Sequence, residues 1–139
     1  MELKREIDII YFMFLSSHHN MNTYTIRRTL FLLGCLPLRI FLAYLARTRP
    51  SLLPWMALGA AGISVGFFTI WAFGLRKTGA EVFGARIWWN DLRPVHALLY
   101  AMFAAAAMTP KFAARAWEFL AADALLGAVA FAIHHSVFA

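Results

Sequence analysis

The sequence predicts an all-α membrane protein, a four-helix transmembrane bundle with a short interfacial helix between the second and third spans. Three observations predict it. Of 139 residues, 62% are hydrophobic and only 14% charged, against about 45–50% and about 25% in soluble domains. A soluble domain this small buries only about two-thirds of what its unfolded chain exposes, so that much apolar surface has no home in water. Second, the apolar residues gather in runs flanked by Arg, Lys and Trp, which anchor helices at a bilayer surface. Third, proline and cap signals divide those runs into four. Together these exclude a soluble globular domain, a disordered tail and a disulfide-stapled secreted domain. The single cysteine, Cys35, admits no intrachain disulfide.

Residues 1–25 read as a polar or interfacial extension ahead of a transmembrane domain at 26–139. The apolar run at 9–15 is far shorter than the about 20 residues a span needs. His18 and His19 read as solvated loop residues, and Met21 offers an alternative start. The first span, 29–46, lies between Arg27-Arg28 and Arg47-x-Arg49 and contains Pro37 and Arg39. Pro37 frees the carbonyl of Leu33 and predicts a kink. The second, 54–75, opens on Pro54-Trp55, and its Gly62-x-x-x-Gly66 predicts a face for close helix packing.

The third span, 94–108, is short, about 23 Å at 1.5 Å per residue. Thr109-Pro110 then reads as an N-cap with proline in the first turn, opening the fourth span, 110–133. Between the second and third spans, Thr78-Gly79-Ala80-Glu81 matches a capping box ahead of Val82, Phe83, Ile87, Trp88 and Trp89. That pattern predicts the amphipathic interfacial helix.

The formal net charge of +6 belongs to anchoring residues, so the expected partner is the lipid bilayer and not nucleic acid. With four spans, Lys and Arg divide eight to four in favour of the side holding both termini and the 76–93 loop. This predicts a multi-pass protein with both termini in the cytoplasm. If translation begins at Met21 the division narrows to six against four. Arg76, Lys77, Arg86 and Arg93 form a basic face suited to anionic lipid headgroups, with simple anchoring as the plainer reading.

Arg39 and Asp123 are the two charges deep in apolar spans. A charge at the bilayer centre costs about 2.5–3.5 kcal/mol on insertion scales, so each requires a partner. Arg39 lies about 15 Å and Asp123 about 16 Å from the cytoplasmic end of its span at 1.5 Å per residue. Opposite charges at matched depth predict an Arg39–Asp123 ion pair. Ala116, Leu120, Asp123, Gly127, Ala130 and His134 step by four and three along one inward face; His135 falls outside it. Cys35 and Arg39 share a face, as do His96 and Tyr100. Cys35, His96, Tyr100 and His134 thus form a second candidate polar or ligand cluster near the cytoplasmic side. Imidazole and thiolate both ligate iron, copper and zinc, so a metal or haem site at His96, His134 and Cys35 stays open; no zinc or haem ligand spacing is present, so no metal is assigned and the plainer expectation is no cofactor.

Four segments resemble an uncharacterised family of small multi-span membrane proteins of algae, marine microbes and large DNA viruses. They are Cys35-Leu36-Pro37-Leu38-Arg39, the run from Gly74 to Glu81, the run from Ile87 to His96, and His134-His135. The resemblance spans about residues 26–135. It implies the multi-span architecture and brings no chemistry with it.

Three functions remain open. The first is a structural, assembly or subunit role, with the Arg–Asp pair fixing helix register and homo-oligomeric or membrane-complex partners. The second is a proton, ion or small-anion carrier working through Arg39 and Asp123. The third is a membrane enzyme or redox subunit using His96, His134 and Cys35.

Overall fold

The computed structural model describes residues 25–78 and 86–137. Among them the chain forms helices α1, Thr25–Thr48, α2, Leu53–Ala72, α3, Arg93–Met108, and α4, Trp117–Val137. The predicted extension, apart from Thr25, lies outside the described residues.

Within α1, Phe31–Cys35 is a π-helical turn, closed by the Leu36 N–H donating to the Phe31 carbonyl. Pro37 follows directly, in the first turn of the regular stretch Leu36–Thr48. Proline brings no N–H and crowds the preceding turn. The disturbance expected from Pro37 takes the form of this wider turn.

α2 begins with Pro54 in its first turn and ends earlier than the predicted 75. Gly74 adopts φ 62°, a conformation open to glycine at little cost. The Gly74 N–H reaches the Trp71 carbonyl and the Leu75 N–H the Ile70 carbonyl, the two bonds of a Schellman cap.

The interfacial helix predicted after α2 needs correcting where it is described. Thr78 pairs antiparallel with Arg86, and Trp88–Leu92 is a 3-10 turn. The rest of that prediction, 79–85, lies outside the described residues. The loop is anchored by Ile87, which is 2% exposed.

The start predicted for the last helix also moves. The Thr109 hydroxyl donates back to the Ala105 carbonyl at 2.8 Å, so it finishes α3 and does not cap α4. A 3-10 turn at Ala113–Arg115 intervenes, and α4 begins at Trp117.

α2 packs on α3, α3 on α4, and α4 on α1. The shared core includes Ala43 and Ala46 of α1, Ala57 and Ala60 of α2, Phe103 and Ala107 of α3, Ala116 just before α4 and Leu120 within it. All lie towards the end of the bundle where α1 ends and α2 begins. Arg47 sits 4.8 Å over the Trp117 ring at that same end.

The glycine face predicted for packing points elsewhere. A Cβ at Gly62 or Gly66 would meet nothing within 4 Å. α2 instead turns Leu53, Ala57, Ala60 and Ser64 inward at four-three-four spacing, and Ser64 Oγ donates to the Ala97 carbonyl at 2.7 Å. That row already places alanine-sized side chains against α3, so the glycines on the other side are not used.

Outward surfaces are rich in large apolar side chains, among them Leu33, Leu58, Val65 and Leu125. α1, the Pro50–Ala72 stretch containing α2, and the Ala113–Ser136 stretch containing α4 are long and apolar enough to cross a membrane. α3, predicted as the third span, has 16 residues. That gives about 24 Å, short of a hydrocarbon core of about 30 Å.

Candidate functional site

Arg39 and Asp123 meet, as the sequence predicts. Arg39 Nη1 donates to Asp123 Oδ2 at 2.8 Å. Asp123 is 1% exposed, while the Arg39 side chain keeps 16%. The inward stripe of α4 is observed too: Ala116, Leu120, Asp123 and Gly127 are all buried.

A third member joins the pair. His96 Nδ1 contacts Asp123 Oδ1, and Arg39 Nη1 lies 3.2 Å from the same ring nitrogen. A carboxylate only accepts, so Nδ1 carries the proton it shares with Asp123, and in the neutral ring Nε2 is the basic nitrogen. The Asp123 carboxylate thereby fixes both the tautomer and the orientation of the imidazole.

The position of His96 explains the space above it. His96 is three residues into α3, about 4.5 Å from its start, whereas Asp123 lies about 20 Å before Ser136. Since the two side chains touch, α3 begins roughly 15 Å short of the end of α4. The connecting loop and a cavity of about 320 Å³ occupy that gap. Arg39 and His96 line its floor, with Gly127 beside them. The guanidinium lies over Gly127, where a Cβ would stand at ordinary contact distance, 3.5 Å from Arg39 Nη1.

Aromatic rings wall the cavity. Phe31 stacks on Phe131 with centroids 4.3 Å apart, joining α1 to α4. Trp88 stacks on His134, also at 4.3 Å, joining the loop to α4. The His135 ring donates to the Phe131 carbonyl at 2.9 Å and faces the same cavity.

The second predicted cluster is split. Cys35, His96 and His134 all line the cavity. Tyr100 lies one turn deeper in α3, buried, and interacts with Asp123. The set is not gathered around a common point: His96 is held by Asp123, and His134 lies flat on Trp88. Among the described residues, no group of three or more His, Cys, Asp or Glu is placed to hold a metal ion.

The basic face also divides. Arg76, Lys77 and Arg86 are exposed. Arg93 is 4% exposed, which corrects its assignment to that face. Its Nη1 donates to Asn90 Oδ1 at 2.8 Å and to the Arg76 and Leu75 carbonyls at 3.2 and 3.4 Å. Arg93 therefore clasps the segment just after α2 to the start of α3, donating to two loop carbonyls beyond the Schellman turn.

Sequence reasoning did not find Phe31, Trp88, Phe131 or His135 as cavity residues. Their spacing reads as ordinary core or interface, and the shortness of the third apolar run does not by itself reveal a gap beside them.

Fold and site together define a chain that is mainly helical over its described residues, with three helices long and apolar enough for a bilayer and an arginine–aspartate–histidine centre, built on a buried aspartate, beneath an aromatic cavity. A scan against protein-family models and searches of curated proteins and solved structures found no match.

Proposed function

We propose that the protein is a multi-pass integral membrane protein, a four-helix transmembrane bundle, that moves a proton or a small anion through the Arg39–Asp123–His96 centre. One observation carries this reading: the ionic centre opens onto a cavity instead of being sealed by packing. Charges inside membrane segments are costly and are typically kept for transport or proton transfer. His96 offers a basic ring nitrogen, and Arg39 offers positive charge to the same space.

Chain direction supports the four-span form. α2 ends near the cavity and α4 begins at the opposite end, so α3 carries the chain across. The loop covers the thickness that the shorter helix lacks. The excess of Lys and Arg on the cavity side favours both termini in the cytoplasm. This form also fits the multi-span family that the motifs resemble.

Flux in protein-containing vesicles tests the reading. Wild type is expected to pass protons or small anions well above protein-free vesicles, and Asp123→Asn to fall towards that background. Equal flux near background for both variants overturns it.

A second reading has its own support. Asp123 is almost fully buried and engaged by both Arg39 and His96, which suits a lock that fixes helix register in a structural or assembly subunit. Under that reading the vesicles stay tight, and only stability responds to Asp123 substitutions.

A further inference from the structure

The cavity has a chemical signature of its own, and this inference rests on the reading that the centre handles an anion. Its charged lining residues are Arg27, Arg39 and Arg86, with no Asp or Glu among the described lining residues. Among the described residues, the carboxylate nearest the cavity is Asp123, which sits behind the floor and is held by Arg39 and His96. The walls are Leu30, Phe31, Phe131 and the tryptophans of the loop. An occupant must therefore combine negative charge with an apolar body. The volume, about 320 Å³, stands at the small end of the about 300–1,000 Å³ typical of ligand pockets.

We infer that this cavity binds a single-chain amphiphile with a carboxylate or phosphate head. A bare inorganic anion leaves the aromatic walls unused. A cationic amphiphile meets three guanidinium groups. A two-chain lipid exceeds the space. The head pairs with arginine, whose planar fork suits carboxylate and phosphate oxygens, and the chain lies along Phe31 and Phe131.

Gly127 controls the space. A Cβ there would stand 3.5 Å from Arg39 Nη1 and 3.9 Å from Phe31 Cζ, so a longer side chain projects into the floor of the cavity. Trp88 and Trp89 report on occupancy because both line it.

The test uses the full chain in phosphatidylcholine nanodiscs, titrated with decanoate, decyl phosphate, decyltrimethylammonium and acetate while tryptophan fluorescence is followed. Decanoate and decyl phosphate should give a saturable change. Decyltrimethylammonium and acetate should need at least tenfold higher concentration. Arg86→Gln, at an exposed position, should weaken decanoate binding several-fold while leaving the melting temperature unchanged. Gly127→Leu should abolish saturation. Equal responses to the anionic and cationic amphiphiles overturn the proposal, as does saturation unaltered in both variants. A response to phosphatidylglycerol placed in the disc, with none to decanoate, also overturns it by assigning the cavity to a two-chain lipid. Saturable decanoate binding with background vesicle flux removes translocation and keeps the binding site. Flux without saturable binding does the reverse.

Discussion

The two ends of the bundle are held together by different chemistry. At the end where α1 turns into α2, small side chains let four helices close on one another: Ala46, Ala57, Ala107 and Ala116 are each 8% exposed or less. The helices there are joined by tight turns. At the other end the chain meets through an ionic centre and stacked rings around open space, Phe31 on Phe131 and Trp88 on His134. A close-packed interior fixes distances and leaves no space for a guest. The cavity end is held by directional contacts, which keep the helices in place without filling the volume between them. The alanine end is thus suited to be a scaffold and the cavity end a site.

The largest expected effect comes from splitting the ionic centre. Asp123→Leu takes away the carboxylate that holds both Arg39 and His96, and Arg39→Leu leaves the buried Asp123 with His96 alone; each should cost up to about 3–5 kcal/mol. The double variant should recover much of that loss, read as thermal unfolding of the purified protein. Strict additivity would show that the two groups do not act on each other.

Crowding separates the two ends next. Ala116 is 0% exposed, and Ala116→Leu should destabilise by about 1–3 kcal/mol, the cost of overpacking a full interior. Gly127→Ala, at the cavity, should cost under about 1 kcal/mol, because its new methyl group meets Arg39 at ordinary contact distance. Similar losses at both positions would erase the distinction between the ends.

Opening the cavity should have a smaller effect on stability. Trp88→Ala removes the stack on His134, worth about 0.5–1.5 kcal/mol, and should speed labelling of Cys35 by a water-soluble maleimide. Unchanged labelling would place the route to the cavity elsewhere. The smallest effect is expected at the surface. Arg115 pairs with Glu118 at 2.8 Å in an exposed position, and Arg115→Gln should leave the melting temperature where it is.

The elements legible in the sequence were those written in strong local signals. Arg39 and Asp123 stood out because charge is rare in apolar runs, and counting residues from the span ends put them at one depth. His96 was harder to place. Counting from its own helix start puts it near the membrane surface, and only the tertiary arrangement shows that α3 begins deep in the bundle. Gly62 and Gly66 carried a pattern that suits packing, yet the row through Ala57 and Ala60 was the one used, a choice made between two faces that composition alone rates alike. Thr109 had the chemistry of a cap, but its hydroxyl found the Ala105 carbonyl of the preceding helix first. Arg93 looked like a surface cation until the loop carbonyls around it were known.

The π turn at Phe31–Cys35 acts as a vernier on α1. Residues spaced by four in a regular α-helix advance about 40° past a full turn at each step, so Arg27, Phe31, Cys35 and Arg39 would fan around the rod. The wider turn takes more residues per revolution and sets the fan back midway, so that all four reach one chamber. Removing a single residue from that turn would swing Arg27 and Phe31 out of the chamber while Arg39 stayed in place, turning a continuous wall into an open side.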